Sequence, residues 1–419
     1  MRVEGTLRVP GDKSISHRSL MLAALGDGRS RITGILESDD VRSTAGVLRA
    51  LGAQIPELSP DLTVAGVGLR GLRAPVTELD CGNSGTTTRL MAGIVAGMPV
   101  TATFIGDASL SRRPMRRVAK PLEAMGARFE LPPHGGLPMV VYGGALKDLE
   151  WQSEVASAQV KSAILLAGLV GGVRAVVDEP APTRDHTERM LGARGVNIVR
   201  HGTRVELAPA HGCITALDTI VPADPSSAAF FAGLAALADG GSLTLEDVCV
   251  NETRTGFLET LRNMGASVDF ARDHLSGGEW ISPVVVRPGA LRGVHVGAEI
   301  VPSMIDELPL LACLATRAEG QTVITGAAEL RVKESDRIAA VVANLRAIGA
   351  EATELDDGMR IVGSRKSLRG SIRTHGDHRL AMSFGVLGAM PGNEIAIDDR
   401  NCVAVSYPRF WSDLTTAIR

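Results

Sequence analysis

Two acids in this 419-residue sequence stand in cationic company: Asp306 in SMIDELPLL, and Glu334 in ELRVKESDR, next to Lys333 and three residues before Arg337. Carboxylates placed among cations are either structural counter-ions or groups that move protons. The other clustered bases, Lys13, Arg18, Arg89, Arg112, Arg113, Arg184 and Arg379, fall in or near short polar strings. These strings read GDKSISHR (11 to 18), CGNSGTTTR (81 to 89), SAQVK (157 to 161), DPSS (224 to 227), SMIDE (303 to 307) and HGDHR (375 to 379). Each precedes an apolar run that reads as a helix, so each offers free backbone N–H groups and the positive end of a helix dipole. Arginine forks add a match to carboxylate and phosphate oxygens, so the chemistry indicated is the binding of anions with proton transfer at hand. A nucleotide site is the obvious rival. No GxxxxGK[ST] is present, since Lys13 follows Asp12 without the glycine spacing, and no GxGxxG opens a helix, which argues against ATP and NAD.

The elements that must position these residues recur. An apolar helix followed by glycine and a β-branched strand appears six times, as in TRLMAGIVAGMPVTATFIG and LPLLACLATRAEGQTVITG, with turn glycines at Gly28, Gly97, Gly172, Gly241, Gly320 and Gly392. The period is roughly 70 residues. A second, amphipathic helix keeps step, ending VLRALGA, PLEAMGA, MLGARGV, TLRNMGA and NLRAIGA, with RFWSDLTTAI as the sixth copy. Gly52, Gly126, Gly195, Gly265 and Gly349 read as the residues just past those helix ends, where glycine takes a left-handed conformation cheaply. Six α/β units suggest two domains of three, with the Pro-rich passage from Val221 to Pro225 as the natural crossover. If pseudo-threefold symmetry aims the helix N-termini at one cleft, the cleft is an anion trap.

Bulk properties narrow the field. With 44 basic and 47 acidic residues the formal net charge is −3, which gives no general attraction to nucleic acid or an anionic membrane. Aromatic residues make up 3% of the chain, too few to suggest base stacking. The start MRVEGTLRVPGDKS has no apolar leader and no apolar stretch is long enough to span a bilayer, so a cytoplasmic protein without membrane contact is expected. Cys81, Cys213, Cys249, Cys313 and Cys402 show no metal-ligand or paired spacing and read as free thiols.

In order and along essentially the whole chain, GDKSISHR, GNSGTTTRL, SRRPM, SAQVKSA, TRDHTERML, ELRVKESDR and GDHRLAMSF resemble the motifs of the 5-enolpyruvylshikimate-3-phosphate synthases. The resemblance implies an α/β fold of two globular domains, each of three βαβαββ units in an inside-out α/β barrel, joined by a two-strand hinge. It implies a lower domain of residues 11–221, an upper domain of 1–10 plus 222–419, and an active site in the cleft between them. The implied reaction moves the enolpyruvyl group of phosphoenolpyruvate to the 5-hydroxyl of shikimate 3-phosphate, with no metal, no cofactor and no macromolecular partner, in a monomer. Matched position by position, Ser14 and Arg18 would bind shikimate 3-phosphate, with Lys13 shared by both substrates. Ser157, the Ala158 backbone and Arg184 would hold the shikimate phosphate or ring, and Gln159 would touch both ligands. Asn83, Gly85 and Thr86 would line the phosphoenolpyruvate pocket, while Arg113, Arg337 and Arg379 clamp its phosphate and carboxylate. Asp306 is the implied base for the 5-hydroxyl, held with the substrate by Lys333. Glu334 is the implied proton shuttle at the methylene carbon, and which acid carries which proton stays open. Glyphosate, the family's inhibitor, would occupy the phosphoenolpyruvate site.

The chain also departs from the pattern. Many members carry a lysine where NCVAVSYPRF offers Val405, and Ala158 replaces a serine of some members. The rival UDP-N-acetylglucosamine enolpyruvyl transferases commonly carry a cysteine five residues before the arginine matching Arg113, where this chain has Ala108. A non-catalytic sensor of anionic metabolites would keep the arginines but not Asp306 and Glu334 together. Arg112 and Arg116 read as solvated charges. His375 and His378 lack the further ligands a metal needs, and His378 reads as orienting Arg379. His17, Asp185 and His186 fit structural roles at helix starts as well as functional ones.

Overall fold

The structure, a computed structural model, describes residues 1–209 and 212–419. The chain divides into a C-half unit, Met1–Pro10 with Pro222–Leu275 and Trp280–Arg419, and an N-half unit, Gly11–Val221 with Ser276–Glu279. That last segment was expected with the residues flanking it. It counts with the N-half because His186 Nδ1 and Glu279 Oε1 form a buried pair at 2.7 Å, and Ser276 Oγ accepts from Ile220 N at 2.9 Å.

Among the described residues the helices come in six pairs: α1 (Lys13–Leu25) and α2 (Asp39–Ala50), α3 (Gly85–Ala96) and α4 (Arg116–Met125), α5 (Ala158–Gly171) and α6 (His186–Gly192), α7 (Pro225–Ala236) and α8 (Gly256–Met264), α9 (Leu308–Ala315) and α10 (Arg337–Ala347), and α11 (His378–Gly388) and α12 (Phe410–Ala417). The first helix of each pair is apolar on nearly every face and lies inside; every residue of α7 and α9 is buried. The second is amphipathic. In α4, Val118, Ala119, Leu122 and Met125 are buried at helical spacing, and Gly126 stops the helix at φ 115°. α6 departs from this scheme: it ends at Gly192, and Gly195 belongs to the turn that follows, donating to Gly192 O at 3.0 Å.

Around α3, α5 and α9 the same four-stranded sheet is built. Leu79–Asp80 and Thr101–Ile105 run parallel across α3, and then Met139–Tyr142 and Arg128–Glu130 add antiparallel, in that lateral order. The strands around α5 and α9 repeat this order with parallel pairs Leu149–Gln152 with Ala175–Asp178 and His295–Val296 with Gln321–Ile324. A parallel pair needs a crossover, and the apolar helix supplies it. Two units borrow their opening strand. Gly5–Leu7 pairs with Leu243–Cys249 beyond α7, and Thr219–Ile220 pairs with Arg29–Thr33 beyond α1. The chain therefore changes unit at Pro10 and again at Val221.

Close helix contact explains two glycines of α3 and its end. A Cβ on Gly93 would lie 2.2 Å from Ala163 O of α5, so the two backbones touch. Gly97, expected as a turn glycine, ends α3 at φ −80°; its own Cβ would meet Gly171 N at 2.8 Å and Ala167 O at 3.0 Å. In the C-half, α7, α9 and α11 touch pairwise and share one core with Phe257, Tyr407 and Phe410. All five cysteines are free thiols, three of them buried. Among the described residues no helix is long and apolar enough to cross a membrane.

Candidate active site

In the C-half, three polar segments meet at Arg337. A short 3-10 turn, Ile305–Glu307, carries Asp306 into the start of α9. The segment after Val332 carries Lys333 and Glu334 to the start of α10, which Asp336 caps by accepting from Ala339 N at 3.0 Å. HGDHR supplies Asp377, which caps α11 by accepting from Arg379 N at 2.9 Å.

The Arg337 guanidinium is 1% exposed and donates to three carboxylates: Asp377 Oδ2 through Nε at 2.8 Å, Glu334 Oε2 through Nη2 at 2.7 Å and Asp306 Oδ1 through Nη1 at 3.2 Å. Burial opposes its charge, but Asp377, Glu334 and Asp306 together raise its pKa above the ordinary arginine value. Arg379 Nη1 donates to the Asp306 carbonyl at 3.2 Å, and Lys333 Nζ lies 3.9 Å from Asp306 Oδ1. The five C-half residues singled out from the sequence, Asp306, Lys333, Glu334, Arg337 and Arg379, are thus one connected cluster. Arg337 is less open than a ligand clamp would suggest: each of its three nitrogens already donates to a carboxylate.

In the N-half, three helix N-termini carry the sequence-derived residues. Asp12 caps α1, accepting from Ile15 N at 2.8 Å, and Lys13 Nζ pairs with Asp40 Oδ2 of α2 at 2.7 Å. Arg18 is 4% exposed; its Nε donates to Thr187 Oγ1 at 2.8 Å, Nη1 to Ser14 O at 2.9 Å and Nη2 to Ser162 Oγ at 2.9 Å. Burial pushes the Arg18 pKa down to about 10, resisted by the Glu188 carboxylate and then by Asp12 and Glu279. These three bonds use one N–H on each guanidinium nitrogen. Ser157 caps α5, accepting from Val160 N at 3.5 Å, and Ala158 opens that helix. Arg184 stands just ahead of α6.

Ser84 caps α3 by accepting from Thr87 N at 3.1 Å. Arg113 Nη2 donates to Asn83 Oδ1 at 2.6 Å, and Asn83 Nδ2 donates to Asp107 Oδ2 at 2.5 Å. Because a carboxylate only accepts, Asp107 fixes the Asn83 amide with its oxygen toward Arg113. Gln159 accepts from Arg89 and donates to Thr86 Oγ1 at 3.0 Å, so both ends of its amide are also set. A Cβ on Gly85 would lie 3.3 Å from Arg113 Nη1 and 3.4 Å from Arg89 Nη1. The face of Gly85 therefore opens onto the guanidinium pair.

Sequence reasoning missed Asp40, Asp107 and Asp377 as partners, and left Arg89 outside the site. Asp377 carried a signal, as an N-cap type between histidines already in view. Asp40 and Asp107 carried none, being 27 and 24 residues from the groups they hold. His17 is fully buried: burial pushes it down to about 3, and Nδ1 joins a chain through Thr44 and Thr87 to Ser84. Arg112 and Arg116 are exposed. Val405 ends a 3-10 turn, Asn401–Val405. Among the described residues no group of three or more His, Cys, Asp or Glu is placed to hold a metal ion.

In fold, the chain is similar to an enolpyruvyl transferase from Streptomyces tendae, with a TM-score of 0.79 over 99% of this chain and 95% of that one, at 18% identity. At that identity the likeness concerns the fold alone. An EPSP synthase from Acinetobacter baumannii is similar at a TM-score of 0.88 and 42% identity, covering 100% of this chain and 96% of that one. A 3-phosphoshikimate 1-carboxyvinyltransferase from Sulfurihydrogenibium sp. is 47% identical over 418 residues, 99% of this chain and 97% of the relative. The chain belongs to the EPSP synthase (3-phosphoshikimate 1-carboxyvinyltransferase) family, whose model it matches over residues 1–414.

Proposed function

We propose that this protein transfers the enolpyruvyl group of phosphoenolpyruvate to the 5-hydroxyl of shikimate 3-phosphate, by addition and then elimination of phosphate, in aromatic amino-acid biosynthesis. The observation that carries this reading is the Asp306–Arg337–Glu334 arrangement: two carboxylates on one buried guanidinium, in a chain matched to the family along its length.

In the addition step the acceptor oxygen bonds to C2, its proton leaves to a base, and C3 gains a proton to become methyl. In the elimination step C3 returns a proton, the C2–O bond to phosphate breaks and the enol ether forms. Asp306 is assigned the hydroxyl proton and Glu334 the C3 proton, since both acids need a neighbouring cation that lets charge shift between them. Lys13, Arg113, Arg337 and Arg379 stabilise the negative charge on phosphate and carboxylate as it redistributes. Arg18, Ser14, Ser157, the Ala158 N–H, Gln159 and Arg184 are assigned to shikimate 3-phosphate, with Lys333 beside its 5-hydroxyl. Asn83, Gly85, Thr86 and Gln159 are assigned to phosphoenolpyruvate. The free thiols and the near-neutral charge fit a monomeric cytoplasmic enzyme with no nucleic-acid partner. Phosphate release on mixing the protein with both substrates tests the reading. Release only when UDP-N-acetylglucosamine replaces shikimate 3-phosphate, or no release with either acceptor, would overturn it.

The placement of Gly85 makes a sharper test of the pocket. An added methyl would stand 3.3 Å from Arg113 Nη1, where a bound anion must approach. Glyphosate is longer than phosphoenolpyruvate and should feel the methyl more. Gly85→Ala is expected to weaken glyphosate inhibition at least ~10-fold, about 1.4 kcal/mol, and phosphoenolpyruvate use by less. Inhibition constants and KM values for the two proteins decide it; equal losses would mean that Gly85 serves Arg113 and not discrimination.

A further inference from the structure

Lys161, in the first turn of α5, has no part in the chemistry above, yet its side chain is 1% exposed. Its ammonium pairs with Glu179 Oε2 at 2.6 Å and with Glu188 Oε1 at 2.8 Å, and both carboxylates are buried as well. Thr183 Oγ1 donates to the second oxygen of Glu179 at 2.5 Å. Burial pushes the Glu188 carboxyl up, and Lys161 opposes the shift. Such an ion triad is a poor device for stability, because apolar side chains of similar volume would fill the space without desolvating charge. What it does supply is fixed geometry.

That geometry leads to Arg18. A neighbouring residue on each helix, Ser162 after Lys161 and Thr187 before Glu188, repeats the pairing with neutral groups: Ser162 Oγ and Thr187 Oγ1 are 2.7 Å apart. These two hydroxyls are the ones that receive Arg18 Nη2 and Nε. The segment from Glu179 to Glu188 is thus held through Lys161 at both ends and through Thr183 within, and Arg184 stands next to Thr183. Asn83, by contrast, is tied to Asp107 and to Arg113.

We propose that Lys161, Glu179 and Glu188 are positioning residues for the acceptor: they lock the 179–188 segment against α5 and thereby set Arg18 and Arg184 for the anionic group of shikimate 3-phosphate. This rests on the acceptor assignment made above. The triad acts on the acceptor's anionic group and not on proton transfer; Gln159, which α5 also carries, is set separately by Arg89 and Thr86.

Two variants test it. Glu188→Gln keeps shape and an acceptor for Lys161 while removing the charge that faces Arg18. The triple variant Lys161→Met/Glu179→Gln/Glu188→Gln removes the triad without leaving an unpaired buried charge. Calorimetric titration with shikimate 3-phosphate should show Kd weakened about tenfold or more in each, as for other groups that orient ligand-binding side chains. The KM for phosphoenolpyruvate, and kcat at saturating acceptor, should stay within about twofold of the unsubstituted protein. A lowered Tm with unchanged Kd would make the triad a device of the fold and overturn the proposal. Parallel losses for both substrates would overturn it too, as general distortion. Failure of the unsubstituted protein to bind shikimate 3-phosphate would fall first on the functional reading, and is seen before any variant is compared.

Discussion

Asp306→Asn and Glu334→Gln are each expected to lower kcat by about 100-fold or more, a loss of about 2.7 kcal/mol in transition-state stabilisation, with smaller changes in substrate KM. Both substitutions keep the size of the side chain and one oxygen that can accept from Arg337. Asp306 Oδ1 takes its Nη1 at 3.2 Å and Glu334 Oε2 its Nη2 at 2.7 Å, so an amide oxygen at either place still finds the guanidinium. What is lost is the capacity to take and return a proton. Because Asp377 continues to hold Arg337 through Nε, the cation should stay in place in both variants. A fall confined to kcat therefore reports chemistry, whereas a rise confined to KM would report a displaced arginine. Steady-state rates with both substrates saturating make the measurement, and near-normal kcat in both variants would remove the two acids from the mechanism.

The parts legible in the sequence were those written in neighbouring residues. GDKSISHR, GNSGTTTR and HGDHR each place a cap residue and a base directly ahead of an apolar run, and Asp12, Ser84 and Asp377 do cap α1, α3 and α11. The sixfold repeat was visible for the same reason, since an apolar helix and its following strand lie side by side in the chain. What the chain brings together from afar left no mark. Lys13 gives no hint of Asp40, nor Asn83 of Asp107, because each pair joins separate elements. Lys161 sat in view within SAQVK and read as part of a polar helix start. Its burial with Glu179 and Glu188 depends on how α5, the strand end at Asp178 and α6 pack. Gly97 carries a second constraint that its letter hides: it stands in the turn after α3, as read, and it also lies against α5.

Asp377 should matter more for the stability of the C-half than any residue named from the sequence. Its carboxylate is fully buried, donors on Arg337 reach it at 2.8 and 3.3 Å, and the Arg379 backbone N–H reaches it at 2.9 Å. Burial alone would raise this carboxyl's pKa, but Arg337 outweighs it and holds Asp377 below the ordinary carboxylate range. Asp377→Ala leaves Arg337 buried with Glu334 and Asp306 as its remaining partners and uncaps α11. The expected cost is about 3 kcal/mol, the lower end for breaking a buried pair because those two acids remain. In thermal unfolding this is a fall on the order of 10 °C in the transition of the C-half. Asp377→Asn keeps a good cap, so its smaller loss isolates the charge, and the further loss in the alanine variant, about 1 kcal/mol, isolates the cap. The pH dependence follows from the depressed carboxyl: its stabilisation is complete above the unfolded value of about 3.9 and is lost as pH falls from there through the folded value. The gap between the unsubstituted protein and Asp377→Asn should therefore hold steady from about pH 7 to 5 and close only below about pH 4. Denaturant unfolding at several pH values reads this directly; a gap that has already closed by about pH 5 would show that Asp377 is not held ionised by Arg337.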